Sequence, residues 1–282
     1  MNPHVESPTA PSLPMAGPRT FDRTRDVPKL IGCNTRNVAY RWSIYERHLA
    51  GVSAHAAVLD YGAGSLRESF EMARRGYSVT AVDLDLGQLE RYASDYDWGA
   101  VRQRPILADV LPASGSFGLI TAFDVIEHLE DPAAQAIARF RSILAPQGLV
   151  FCTVPNRRSL SEFATRLALR AGKKQAPGEA HLQFKSPGEW RGFFVANGLE
   201  IVEHDMTIGC AVNTWFWSVA LPTNALRKLA RRFGLDFNPD RVVNALAPGW
   251  AMRALDKLDQ AAKPLTRGLF GWNLFVLRKA AA

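Results

Sequence analysis

Val58-Leu59-Asp60-Tyr61-Gly62-Ala63-Gly64 is the stretch that decides how the rest of the chain is read. An apolar run beginning at Ala56 ends in an acidic residue and then in two glycines with one residue between them. The run has the length of a buried strand, and the glycines mark the turn that leaves it. Glycine there lets the backbone bend sharply and approach a ligand with no Cβ in the way. A helix starting just after such a turn points N–H groups at an anionic ligand group. Taken alone, the turn is weak evidence for a nucleoside site, with an ordinary tight turn as the competing reading.

Outward from this turn the chain alternates. Residues 66–75 read as a helix stopped by Gly76 at C′. Strand patterns follow at 77–83, 105–108, 117–123 and 148–154, with helices at 86–96 and 132–144. The helix from Pro132 has Asp131 before its first-turn proline. This order predicts an α/β fold with a mostly parallel sheet and helices on both faces. Further on, helices are expected at 158–170 and 187–196, and strands at 199–206 and 272–277. Upstream, Asn34 caps an expected helix running to Leu49. Residues 1–20 are rich in Pro, Ser and Thr without hydrophobic period, and are expected to be a disordered tail.

The expected organisation is a single domain over 21–282. It has an N-terminal helical cover at 34–50, a core at 56–156, substrate-side helices at 157–198, a helical insertion at 210–270 and a last strand at 272–279. Composition agrees with an ordinary globular domain: 47% of residues are hydrophobic and 22% charged, enough to bury a core without staples. Cys33, Cys152 and Cys210 are far apart and form no CxxC or Cys/His spacing, so neither disulfides nor a metal site is expected from sequence. With no apolar leader and no membrane-length apolar run, the expected location is cytoplasmic.

Charge is unevenly placed. Residues 210–282 carry 11 Lys+Arg against 4 Asp+Glu, which accounts for the whole net charge of +7. Trp215-Phe216-Trp217 and the basic run Leu226-Arg227-Lys228-Leu229-Ala230-Arg231-Arg232-Phe233 lie in this part. A basic amphipathic helix of this kind suits an anionic membrane surface, an aromatic run suits a hydrophobic pocket wall, and a packed helical cap explains both without either. A specific nucleic-acid partner is not expected, because the basic residues do not spread over the body of the chain.

Four further stretches add chemistry. Asp83 ends the second strand, where a carboxylate can accept hydrogen bonds from a ribose diol. A dinucleotide fingerprint requires a third glycine at 67, and that residue is Arg67, which weakens a nicotinamide reading. Asp109 and Val110 follow the third strand. The run from Phe117 to Pro132 takes the fourth strand into a loop carrying Glu127 and His128, at the sheet edge where open α/β folds bind ligands. Pro146 and Gly148 shape the turn into the fifth strand.

Together these stretches resemble the class I S-adenosylmethionine (SAM) dependent methyltransferases, especially the ubiquinone-biosynthesis type of O-methyltransferase. The resemblance covers residues 57–156 and continues through His181-Leu182-Gln183-Phe184-Lys185-Ser186 and Asn197-Gly198-Leu199. It implies a Rossmann-like methyltransferase fold with a seven-stranded, mostly parallel sheet and a helical insertion before the last strand. It also implies SAM as cofactor. Gly62 and Gly64 would line the methionine moiety with Asp60 near its amino group, and Asp83 would hold the ribose. Asp109 and Val110 would flank the adenine, and Ala122 and Phe123 would touch the cofactor. Ala63 and Leu84 are counted with the same site. One departure stands out: the family often continues to a third glycine two residues on, where this chain has Leu66, and a side chain there would narrow the methionine end.

The acceptor is expected to be a small or lipid-like molecule, methylated at oxygen. His128 is the first candidate base and His181 the second, since imidazole titrates near neutral pH. For each, a purely structural role is the competing reading. Arg36 and Arg41, on the covering helix, could pair the cofactor carboxylate, and Arg41 is carried as a candidate. The alternatives are a non-catalytic SAM-binding relative and a NAD(P)-dependent oxidoreductase. A nucleic-acid methyltransferase lacks support, because no NPPY-like or Pro-Cys motif is present.

Overall fold

Strand β1 (Ala57–Tyr61) sits between β2 (Ser78–Val82) and β4 (Phe117–Phe123) and runs parallel to both. Val58 and Leu59 are fully buried. A parallel strand covered on both faces needs such an uninterrupted apolar run. This is the computed structural model of the chain, and it describes residues 41–281 except 43, 95, 130–131, 171, 173–180, 208, 210, 212–225, 227–228, 230–231 and 234–248. The expected tail at 1–20, the Asn34 cap, Arg36, Cys33, Cys210 and the aromatic run at 215–217 lie outside the described residues.

The sheet has seven strands in the order β3-β2-β1-β4-β5-β7-β6. Strand β3 (Ile106–Ala108) extends it past β2, and β5 (Leu144–Pro155) extends it past β4. Strand β7 (Trp272–Lys279) inserts antiparallel between β5 and β6 (Leu199–Thr207). Alternate residues feed two cores. Val58, Val79, Leu119 and Phe151 face one core, with Tyr45 and Leu49 of the covering helix α1 (helical at 41–42 and 44–49). Helices α2 (Arg67–Arg74) and α3 (Leu86–Ala93) pack on that side through Phe70, Met72 and Leu89. Leu59, Ile120, Val150 and Phe275 face the other core, against Ile137 and Phe140 of α4 (Pro132–Ile143) and Trp190 and Phe194 of α6 (Pro187–Ala196). Helix α5 (Leu160–Arg170) follows β5.

Element boundaries move where local chemistry intervenes. Gly76 takes φ +90° and ends α2 as expected, with Tyr77 N–H donating back to the Met72 carbonyl at 3.2 Å. Strand β5 starts at Leu144, not 148, because Leu144 pairs with Phe117 before the register shifts to Leu119–Leu149. The residues from Ala145 to Gly148 bulge between these pairings, which accommodates Pro146, a residue with no ladder N–H to give. In the expected insertion at 210–270, helix α7 (Gly249–Thr266) leads towards β7; most of the insertion's earlier part lies outside the described residues.

Candidate functional site

The strand order reverses between β1 and β4, so a crevice opens at their carboxyl ends. The glycine turn forms one wall. Gly62 and Ala63 both donate N–H to the Val82 carbonyl, at 2.8 and 3.0 Å. Gly64 donates to Asp83 Oδ2 at 2.8 Å, so the turn is fastened to the end of β2. Gly62 has φ +69°, and a Cβ there would lie 2.1 Å from Val125 Cγ2. Glycine is therefore what lets the loop after β4 close onto the loop after β1. Gly64 has φ +47°, and a Cβ there would meet only the Gly62 carbonyl oxygen, at 3.8 Å. Space for a ligand lies on that side.

Leu66 adopts φ +58° and caps α2 in the left-handed region. Its side chain is fully buried in the core shared with α1. The expected narrowing of the methionine end does not occur: the residue replaces a glycine by accepting backbone strain and turning inward.

Asp60 lies buried beneath the turn. Ser69 Oγ donates to its Oδ2 at 2.6 Å and Thr121 Oγ1 to its Oδ1 at 2.7 Å, which joins β1, α2 and β4. Burial, reinforced by the charge of Glu68, raises its pKa to about 6 against the hydroxyls and Arg41. Arg41 is 1% exposed, ion-pairs with Glu68, and reaches Asp124 Oδ2 at 3.8 Å. Its guanidinium lies 4.2 Å over the Phe123 ring. Arg67 Nη2 also meets Glu68, at 2.8 Å. Burial pushes the Glu68 carboxyl up, but Arg67 and Arg41 outweigh it and leave the pKa lowered.

Asp83 and Ala108 end adjacent strands, joined by the Asp83 N–H to the Ala108 carbonyl at 3.1 Å. Beyond them Leu84 is 91% and Val110 70% exposed. Asp109, between Ala108 and Val110, is exposed as well. Ala122 is buried in β4, and Phe123 is half-buried and stacked on Tyr45 at 5.3 Å.

The loop after β4 forms the opposite wall. Asp124 turns the chain with φ +58°, donating N–H to Thr153 Oγ1 at 3.0 Å and accepting from the same hydroxyl at 2.7 Å. Aspartate tolerates that region better than most residues. The turn carries Glu127 inward to full burial, and neither of its carboxylate oxygens accepts a hydrogen bond from a neighbouring described residue. Burial, with Asp124 and Glu162 adding negative charge, pushes the Glu127 carboxyl well above the usual range.

Residues 181–183 dock on this loop. Leu182 and Gln183 donate N–H to the Glu127 carbonyl at 2.7 and 2.9 Å, and Gln183 Nε2 donates to the Leu129 carbonyl at 3.0 Å. The His128 and His181 rings consequently stand 5.0 Å apart. His128 Nε2 is 4.0 Å from Glu127 Oε1, and His181 Nδ1 is 2.9 Å from Glu162 Oε1. The second contact has ion-pair distance without hydrogen-bond alignment. The two histidines singled out from sequence thus meet beside Glu127, which the sequence placed on the same loop, while Glu68, Asp124 and Glu162 enter only with the fold. Asp124 and Glu127 carried a signal in the Phe117–Pro132 run. Glu162, on α5, carried none.

A crevice with these walls fits a nucleoside joined to an amino acid. The glycine face is open, the Asp83 carboxylate stands at the end of β2, and exposed apolar side chains flank a place for a flat ring. Residues 36–204 match the family described as a methyltransferase domain.

The chain belongs to that methyltransferase family.

It is 29% identical over 150 residues to the ubiquinone biosynthesis O-methyltransferase of Caulobacter sp. strain K31, a match spanning 51% of this chain and 59% of that protein. It is 29% identical over 192 residues to the protein of the same name from Pseudomonas entomophila, spanning 65% and 78%. In fold it is similar to Haemonchus contortus phosphoethanolamine N-methyltransferase 2, solved with S-adenosyl-L-methionine, at TM-score 0.53 and 18% identity over 86% of this chain and 53% of that one. Membership of this methyltransferase family and the Rossmann-like seven-stranded sheet are what the resemblance implied, and the oxidoreductase alternative falls away.

Proposed function

We propose that this methyltransferase acts on a hydroxyl oxygen of a small hydrophobic acceptor. The observation carrying this reading is the meeting of His128, His181 and Glu127 past the carboxyl end of β4. The relatives' own designation as O-methyltransferases supports oxygen as the atom methylated.

Bound SAM supplies an electrophilic methyl carbon on a sulfonium. The chain's part is to bind, orient and keep out water. Gly62, Ala63 and Gly64 would receive the amino-acid end, with Asp60 near its amino group. Asp83 would accept from the ribose hydroxyls, while Leu84, Asp109 and Val110 would frame the adenine. Ala122 and Phe123 end the strand beneath. Arg41 is the candidate for the cofactor carboxylate, through an Nε–H that has no partner among the described residues. The acceptor hydroxyl lies against His128 and His181 and gives up its proton at that cluster. That oxygen would be the nucleophile towards the methyl group that SAM would supply when bound.

Asp83→Ala is expected to weaken SAM binding roughly 10–100-fold, the loss of hydrogen bonds to a charged group. Calorimetry reads this directly; unchanged affinity would remove Asp83 from the cofactor site. A screen of hydroxyl- and amine-bearing acceptors with methyl-labelled SAM tests the acceptor atom. With the acceptor so found, His128→Ala and His181→Ala are each expected to lower kcat by at least about 100-fold. Wild-type turnover in both would overturn the assignment.

The hydrophobic and membrane aspects rest on the basic last quarter. Leu226, Leu229 and Phe233, at helical spacing in the basic run, are all exposed. That supports contact with an anionic lipid surface. Co-sedimentation with vesicles containing anionic lipid is expected at low salt, and its absence there would dismiss the contact.

A further inference from the structure

Helix α2 starts without the local support that most helices have. Ser, Thr, Asp or Asn at the cap position would accept a hydrogen bond from the first turn, but the cap here is Leu66, whose side chain makes none. Leu66 also sits at φ +58°, a region that is costly for a residue with a Cβ. Turning over the single peptide unit between Ser65 and Leu66 would release that φ and leave the buried side chain in place. The chain therefore has a reason to leave the conformation that shapes the glycine turn.

That peptide unit is nevertheless held at both ends. Leu66 N–H donates to the Ala63 carbonyl at 2.8 Å, and the Tyr96 hydroxyl donates to the Ser65 carbonyl at 2.7 Å. Tyr96 comes from 31 positions away, in the segment between α3 and β3. Its ring lies 4.7 Å from Phe70, on α2 itself, and 5.5 Å from Trp98. Trp98 lies 5.2 Å from Phe70 and donates Nε1–H to the Ala93 carbonyl, at the end of α3, at 2.6 Å. A packed cluster of three rings thus presents the hydroxyl to the turn, and the cluster is built on the same helix whose start it steadies.

We infer that Tyr96 is a positioning residue for the cofactor: through the Ser65 carbonyl, its hydroxyl keeps the glycine turn in the form that receives SAM. This role deepens the cofactor reading and rests on it. Asp83 and Tyr96 divide the task. Asp83 holds the Gly64 N–H from the end of β2, and Tyr96 holds the carbonyl of the next residue from beyond α3. Without the hydroxyl the Ser65–Leu66 peptide can turn over, which takes the Leu66 N–H from Ala63 and reverses the peptide dipole at the entrance to α2. Binding must then restore the turn first, so affinity falls with the fraction of chains that hold it.

The test needs no acceptor. Tyr96→Phe removes the hydroxyl and leaves the ring against Phe70 and Trp98. SAM and S-adenosylhomocysteine are titrated into the full chain by calorimetry, with and without that replacement. Tyr96→Phe is expected to weaken both ligands roughly 5–10-fold, the size of one hydrogen bond. The Tm of the ligand-free protein is expected to move by less than about 2 °C, because released backbone strain offsets the lost bond. In a Leu66→Gly background the same replacement is expected to change affinity less than about twofold, since glycine gains nothing by leaving a positive φ. Amide exchange gives a second readout on the single variant. In ligand-free Tyr96→Phe, residues 62–70 are expected to exchange at least about threefold faster and to regain protection under saturating SAM. A fall in Tm with unchanged affinity makes Tyr96 a packing residue and overturns the assignment. Equal losses of affinity in the two backgrounds, or unchanged exchange, overturn it as well. Affinity lost in Asp83→Ala but kept in Tyr96→Phe dismisses the role of Tyr96 and leaves the cofactor site standing, whereas affinity kept in both dismisses the two together.

Discussion

Asp60 illustrates how a single residue's position sets its chemistry. Its folded pKa is about 6 against 3.8 for an ordinary aspartate, with burial the main cause. Between those values the folded chain holds a proton that the unfolded chain has released. Stability from this group is therefore highest near pH 4 and falls as pH rises through 6, by about 3 kcal/mol in all. Asp60→Asn is expected to flatten the difference in denaturant stability between pH 4.5 and 7; an unchanged difference would refute this account. If the cofactor's ammonium lies above Asp60, it favours the ionised form, and SAM affinity should rise with pH through the same window. Leu66 shows two effects in competition. Leu66→Gly relieves left-handed strain of about 1–2 kcal/mol but removes a fully buried side chain, a loss of roughly 3–5 kcal/mol with its cavity. Burial wins, so a net loss of about 2 kcal/mol is expected in chemical denaturation. The sequence marked Leu66 as a departure from the family's glycine. It could not tell which way the side chain turns, because that depends on core space supplied by α1.

At the scale of elements, periodicity and punctuation were enough wherever the chain's own neighbours settle the conformation. Strand β4 and helix α6 have the bounds expected of them. Helix α6 is framed by a capping box, with Ser186 Oγ accepting from Glu189 N–H and Glu189 Oε2 accepting from Ser186 N–H at 2.7 Å. Ser186→Ala is expected to cost about 1 kcal/mol, seen as a fall of roughly 2–4 °C in Tm. Because the cap of α6, Ser186, stands three residues after Gln183, that variant should also loosen the docking of residues 181–183. Strand β5 departed from expectation for a reason no local pattern holds. Leu144 is drawn into the ladder by Phe117 across the strand gap, and the sheet tolerates Pro146 only by bulging.

For the whole molecule, a ligand that binds only the folded state adds stability by mass action. SAM at 100 times its dissociation constant is expected to add about 2.7 kcal/mol, a rise of roughly 5–10 °C in Tm, and Asp83→Ala should lose most of that rise at the same concentration. A thermal shift with NADH in place of SAM would contradict the cofactor assignment. The sequence by itself determined the alternating strands and helices, the glycine turn and Asp83. These features are local: strand length, a turn needing no Cβ, and an acidic residue where a strand ends. They sufficed for the sheet, the family and the cofactor. Only the tertiary structure decided the rest of the site. Arg41 and Glu68 pair across 27 positions, and Glu162 on α5 reaches His181 in the segment before α6. Most of all, Glu127, His128 and His181 close on one point because two loops distant in sequence share the Glu127 carbonyl. No spacing along the chain encodes that meeting. It follows from strand order, which brings the end of β4 to the crevice, and from backbone hydrogen bonds that only the folded chain can make.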